Sequence, residues 1–135
     1  MWGVRSLRVL RLANPLVRIV LESRAHRLLS GRLVLVAYRG RRSGREFRIP
    51  LRYAETDVRA LVTIAVRPDR KQWWRAFRTA DAATLTLRGA RVDAVGAVAE
   101  GDERNAALRA YVDRYPGSAR LTGDAAVVVF EARDG

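Results

Sequence analysis

Three short stretches carry residue types from which an anion site can be built: Gly40-Arg41-Arg42-Ser43-Gly44, Pro50-Leu51-Arg52-Tyr53 and Lys71-Gln72-Trp73-Trp74-Arg75. The first reads as a tight turn between two apolar strands, because glycine takes positive φ and a serine hydroxyl can bond the backbone of its own turn. Arg41, Arg42 and Arg45 would then stand beside exposed amides. Guanidinium groups grip phosphate and carboxylate in bidentate fashion, and turn amides make an anion nest. The third stretch brings a cation and two indoles together just after a predicted strand, a combination suited to a flat ring with an anionic tail.

The elements that must position these residues follow from the pattern around them. Arg32–Tyr38, Glu46–Tyr53 and Arg59–Val66 are rich in β-branched and aromatic residues, alternate in part, and read as a three-stranded meander. Trp73, Trp74 and Phe77 fall close to one side of a short helix over Lys71–Thr79. Thr84–Arg88 and Arg91–Ala99 form a further hairpin about Gly89-Ala90, with Gly96 marking a bulge or bend in a curved sheet. A helix opens at Asp102, carries acids in its first turn, runs to Tyr115 and stops at Pro116-Gly117. Ala126–Ala132 is the sixth strand. Six mainly antiparallel strands without βαβ alternation predict an α+β, mainly β domain, a small closed or half-closed barrel with peripheral helices.

The 135 residues suffice for one domain with its own core. Residues 1–29 form an N-terminal amphipathic segment and residues 30–135 the barrel. In that segment Asn14-Pro15 ends one predicted helix and caps the next, which runs to Leu29, while Arg5, Arg8 and Arg11 face away from Trp2, Leu7, Val9 and Leu10. Such a helix packs on its own barrel or touches a membrane surface. There is no uncharged apolar run of spanning length and no uninterrupted signal core, so a cytoplasmic chain is expected, with membrane contact at most peripheral.

With no cysteine and one histidine, His26, thiol catalysis and Cys/His zinc sites are excluded, no metal site is expected, and His26 is given no role. The formal net charge is +12, carried by 25 Arg and one Lys against 14 acids. Residues 1–78 hold 18 Arg and Lys71 against 5 acids, whereas residues 79–135 hold 7 Arg against 9 acids. The basic half attracts polyanions of any kind.

Taken in order, these elements resemble the deazaflavin-dependent nitroreductase family, split β-barrel proteins that bind coenzyme F-420. The resemblance covers about residues 28–131 and includes Gly101-Asp102-Glu103 and Tyr115-Pro116-Gly117 beside the three stretches above. It implies a six-stranded split barrel in which reduced coenzyme passes hydride to a small nitro, quinone or other conjugated acceptor. It also implies that Arg41, Arg42, Arg45, Arg67 and Lys71 pair the coenzyme's phosphate and carboxylates, that Ser43 and the Gly44 amide donate to them, and that Tyr53 and Trp74 border the ring. The catalytic group stays unassigned, with Tyr53 as a candidate beside the ring. No nucleophile is needed, since the coenzyme carries the hydride. Related split barrels often form homodimers.

The chain departs from the family pattern at three places. Arg67-Pro68-Asp69-Arg70 stands where many relatives have Lys and Gly, and Pro68 has no N–H to offer a phosphate. Ala76 replaces an Asn. Gly117-Ser118-Ala119-Arg120-Leu121 lacks the tyrosine that follows the Tyr-Pro element in nitro-reducing relatives. Two other readings suit the same residues: a barrel that holds FMN, and a basic domain that binds nucleic acid with its tryptophans stacked on bases. Against the latter stands the lack of any helix-turn-helix, RNP-like or zinc-knuckle pattern.

Overall fold

The computed structural model describes residues 32–56, 60–87 and 89–133. The expected N-terminal helices lie outside the described residues. Among those described there are seven strands: β1 (Leu33–Arg39), β2 (Glu46–Arg52), β3 (Ala54–Glu55), β4 (Leu61–Ala65), β5 (Asp81–Leu87), β6 (Ala90–Val98) and β7 (Ala126–Ala132). One α-helix, α1 (Gly101–Arg114), precedes β7, and 3-10 segments cover Pro68–Arg70, Trp73–Phe77 and Pro116–Leu121. The Lys71–Thr79 helix is thus a tighter, shorter 3-10 turn. The count of six strands is corrected to seven by β3, whose two residues are too few to leave a periodic signature.

The strands form one antiparallel sheet in the order β2-β1-β5-β6-β7-β4-β3. This corrects the meander: β4 does not pair with β2 but with β7, from Leu61↔Phe130 to Ala65↔Ala126, and with β3. The two strands at the ends of the sheet, β2 and β3, are separated by Tyr53 alone. One continuous piece of chain therefore pairs with β1 on one side and, after a single residue, with β4 on the other. The sheet has to curl to bring β4 to that point, and a split barrel results.

Alternation sorts the side chains into two cores. Val34, Val36 and Tyr38 of β1, Leu85 of β5, and Val128 and Phe130 of β7 point into the barrel around Phe77, which has no exposed surface. Val127, which precedes Val128 on β7, packs outward with Val62 of β4 against Ala107 and Tyr111 of α1. Asp102 and Glu103 occupy the first turn of α1, where the helix dipole favours anions. Its Arg104 Nη2 donates to the carbonyls of Thr122, Gly123 and Ala125 at 3.2, 3.2 and 2.9 Å, tying the helix to the chain that leads into β7.

At the end of α1, the Tyr115 hydroxyl donates to the Tyr53 carbonyl at 2.5 Å. Arg52 Nε donates to the Tyr111 hydroxyl at 3.1 Å, and its guanidinium lies 4.2 Å from the centre of the Tyr115 ring. The joint between β2 and β3 is thereby fastened to the helix, and burial raises the Tyr115 phenol above its ordinary range, an effect partly offset by Arg114 and Arg52.

Gly96 does not mark a bulge. It sits within an uninterrupted β6, opposite Asp81 and Phe130 in regular register. Its hydrogen side makes room for aromatic rings: a Cβ there would come within 2.5 Å of Phe130 and 2.8 Å of Phe77, which meet edge to face at 5.1 Å. Gly96→Ala should therefore lower stability by about 1–3 kcal/mol through overpacking, read as a fall in the urea midpoint at unchanged slope.

Candidate functional site

The β1–β2 turn is built from its own hydrogen bonds. Gly40 N–H donates to the Arg45 carbonyl at 2.8 Å, Gly44 N–H to the Gly40 carbonyl at 2.9 Å, and Arg45 N–H to Ser43 Oγ at 3.2 Å. Gly44 takes a φ of 69°, which explains a glycine at that position. Arg39 completes the turn, donating to the Gly44 carbonyl at 2.8 Å and pairing with the buried Glu46 at 3.0 Å. The Gly44 amide, expected as a donor to a bound anion, is engaged inside the turn. What the turn displays outward is guanidinium: Arg41, Arg42 and Arg45 are all exposed.

Facing it is the Trp73–Phe77 turn. Trp73 and Phe77 are buried in the barrel core, while Trp74 is half-buried and its indole N–H donates to the Pro68 carbonyl at 2.7 Å. In a 3-10 helix residues three apart lie in one row, so Gln72, Arg75 and Arg78 share a side. Arg75 Nη1 donates to Gln72 Oε1 at 3.1 Å, and Arg78 lies 4.8 Å from the centre of the Trp74 ring. Arg41 Nε bridges the two walls by donating to the Ala76 carbonyl at 3.3 Å.

Between the walls is a groove of about 670 Å³. Arg41, Arg42 and Ser43 line one side and Gln72, Arg75 and Arg78 the other, with no carboxylate among them. Tyr38 and Phe47, directly opposed across the β1–β2 ladder, form its apolar part with ring centres 5.5 Å apart and planes 26° apart. Tyr38 is also 5.7 Å from Phe77, and burial pushes its phenol up to about 12. A buried donor, Arg75 Nε, has no hydrogen-bond acceptor among the described residues. The arrangement is an aromatic floor with a cationic rim.

The sequence candidates divide accordingly. The groove brings together Arg41, Arg42 and Ser43; Arg45 stands beside them with its guanidinium 5.6 Å from the Phe47 ring centre. Trp74 backs the groove by supporting Arg78, its own ring packed against the core. Tyr53 is in the core, 3% exposed, with its carbonyl held by Tyr115. Arg67 and Lys71 are exposed beyond the groove lining. Gln72 and Arg75 fall inside a stretch the sequence singles out but receive no individual role there, and Tyr38, Phe47 and Arg78 are not among the sequence candidates.

A larger cavity of about 770 Å³ lies beside α1, floored by Ala106, Ala107 and Ala110 and bordered by carboxylates and arginines together. It has no aromatic surface. Among the described residues no cluster of three or more His, Cys, Asp or Glu is placed to hold a metal ion, and no helix is long and apolar enough to cross a membrane.

No protein-family model and no curated protein matches this chain by sequence. Solved structures match it by shape. One is an F420-H2 dependent reductase, 20% identical, with a TM-score of 0.63 over 73% of this chain and 93% of that one. Another is described as a domain-swapped dimer, 18% identical, TM-score 0.62, over 87% of this chain and all of that one. A third, a protein of unknown function from Agrobacterium tumefaciens, is 15% identical with a TM-score of 0.62 over 85% of this chain and 57% of its own. At these identities the likeness is one of fold, and it agrees with the split barrel built up above.

Two expectations follow from the geometry. Arg67 holds a left-handed backbone, φ 55° and ψ 63°, which costs a residue with a Cβ about 1–2 kcal/mol. Arg67→Gly should relieve this and, after the extra entropy of an unfolded glycine, raise stability by about 0.5–1 kcal/mol in urea unfolding. The second concerns Tyr38. Its phenol binds a proton more tightly in the folded protein than in the unfolded chain, so the associated stability is intact below the ordinary value of 10.0 and is lost as pH rises towards about 12. The full loss is about 2–3 kcal/mol, and Tyr38→Phe should remove that part of the alkaline slope in urea titrations between about pH 9 and pH 11.

Proposed function

We propose that the protein is a deazaflavin-dependent oxidoreductase that binds reduced coenzyme F-420 in the groove between the β1–β2 turn and the Trp73–Phe77 turn. Its acceptor is a small nitro compound, quinone or other conjugated molecule. The observation that carries this reading is the union of four guanidinium groups, no carboxylate and a stacked Tyr38–Phe47 floor in one groove of ligand size. The fold shared with an F420-H2 dependent reductase supports the same reading.

The bound deazaflavin would supply the hydride; the chain binds and orients. Arg42 and Arg75 pair the phosphodiester and carboxylates, Arg41 holds the two walls at a fixed spacing, and Trp74 fixes Arg78 from behind. Tyr38 and Phe47 give the ring a dry surface, which strengthens every charged contact at the rim. Arg67 and Lys71 lie farther along the same segment, where they can reach a long anionic tail. A homodimer belongs to this reading, in keeping with the dimeric neighbour, and light scattering after gel filtration checks it.

An FMN-binding barrel is the second reading, favoured by the same floor and cationic rim. A fluorescence titration with coenzyme F-420, FMN and a short oligonucleotide, at low and physiological salt, separates these readings. Salt-tolerant binding of the deazaflavin ahead of FMN is expected, and Arg42→Ala and Arg75→Ala should each weaken it about tenfold or more, the loss of a charge-assisted hydrogen bond. Salt-labile binding of the oligonucleotide alone would mean that the basic surface is the functional feature.

A further inference from the structure

Within the groove, few side chains can give a hydrogen bond to a neutral acceptor lying on the floor. The guanidinium groups of Arg41, Arg42, Arg75 and Arg78 form the rim and meet anions there. The Gln72 amide and the Ser43 hydroxyl keep protons to donate, but from the wall and the exposed turn rather than from the floor; Gln72 Oε1 accepts from Arg75, and Ser43 Oγ accepts from the Arg45 amide. On the floor itself Tyr38 is the side chain with an O–H; its partner Phe47 has none. Phe47 at 5.5 Å and Phe77 at 5.7 Å hold the Tyr38 ring from two sides, and Tyr38 is 7% exposed. The hydroxyl is thus carried on a rigid strand and a packed ring, which is how a fixed donor is made.

We propose that the Tyr38 hydroxyl donates a hydrogen bond to the carbonyl or nitro oxygen of the acceptor, orienting it for reduction and stabilising the negative charge that grows on that oxygen. This rests on the oxidoreductase reading above, in which the Tyr38 ring is part of the floor, and adds a role for its hydroxyl. For a quinone, hydride adds to the conjugated acceptor with two electrons taken from the reduced deazaflavin. The C=O π pair moves onto oxygen, and the resulting oxyanion is held by Tyr38 until it takes a proton from water.

The charges that face Tyr38 support this. Arg41 and Arg42 from the turn, and Arg75 and Arg78 from the opposite wall, are all positive and favour an oxyanion between them. Burial keeps the phenol protonated to about 12, so it stays a donor throughout the working range.

The test compares wild type and Tyr38→Phe, which keeps the ring. Coenzyme F-420 affinity is read by fluorescence alongside, and the loss of menadione binding should exceed any change in it. Binding of menadione to the protein without coenzyme, read by tryptophan quenching, should weaken about five- to tenfold. Turnover of menadione with reduced coenzyme should fall about a hundredfold in kcat. Placing 3,5-difluorotyrosine at position 38 lowers the phenol pKa and should shift the pH at which menadione binding is lost downward, a change that mere ring packing does not produce. Unchanged menadione binding and turnover in Tyr38→Phe, with coenzyme bound normally, overturns the Tyr38 role alone. A wild-type protein that ignores coenzyme F-420 overturns the oxidoreductase reading and the reductive role with it.

Discussion

Everything in this fold depends on one strand serving both ends of one sheet. Because only Tyr53 separates β2 from β3, the ladder that begins on β1 must travel through β5, β6, β7 and β4 and return to the same piece of chain. The bond from the Tyr115 hydroxyl to the Tyr53 carbonyl pins that joint, and the Arg52 guanidinium lies against the same tyrosine ring. Once the ring of strands is closed, the β1–β2 turn and the chain leaving β4 come to the same end of the barrel. The contact from Arg41 to the Ala76 carbonyl is the local expression of that global constraint.

The groove is electrostatically one-sided, and the structure bears this by occupying the guanidinium groups with neutral partners. Arg41 uses a backbone carbonyl, Arg75 an amide oxygen and Arg78 an aromatic face. None of these neutralises a charge; each fixes a direction. Two unit charges near a protein surface repel by about 4 kcal/mol at 4 Å, so crowding cations without counterions stores free energy that a bound anion releases. Prior ordering of the side chains also reduces what a ligand must overcome on binding. The cavity beside α1 mixes carboxylates with arginines and stores no such field.

Much of this was legible in the residues, and the failures have physical reasons. Leu33–Arg39 and Ala126–Ala132 announce themselves by β-branched runs, and the acids at the start of α1 mark its N-terminus. That Arg41, Arg42 and Ser43 stand together on a turn is also legible, since glycine, serine and paired arginines define what such a turn can display. Sheet order was not: strands close in sequence were read as neighbours, whereas β4 crosses to β7 because closure, rather than proximity along the chain, decides its partner. Arg75 and Arg78 have no individual role in the sequence reading because an α-helical period does not align them, whereas three residues per turn bring both into line with Gln72. Tyr38 and Phe47 were hidden inside predicted strands, although counting outward from the turn pairs them. Gly96 was read for backbone freedom when the space taken by Phe130 and Phe77 was the reason for it.

The joint at Tyr53 also sets where this chain can change length. Along a strand, one added residue reverses which side chains face the core. Between Arg52 and Ala54 such an insertion would swing Ala54 out and Glu55 in, on the short ladder with Leu61 and Val62 that closes the barrel. The turn at Gly40–Gly44 stands outside the ladders and has no such penalty. Chains with this architecture should therefore vary in length at the rim of the groove and keep an invariant spacing through the bend opposite Tyr115.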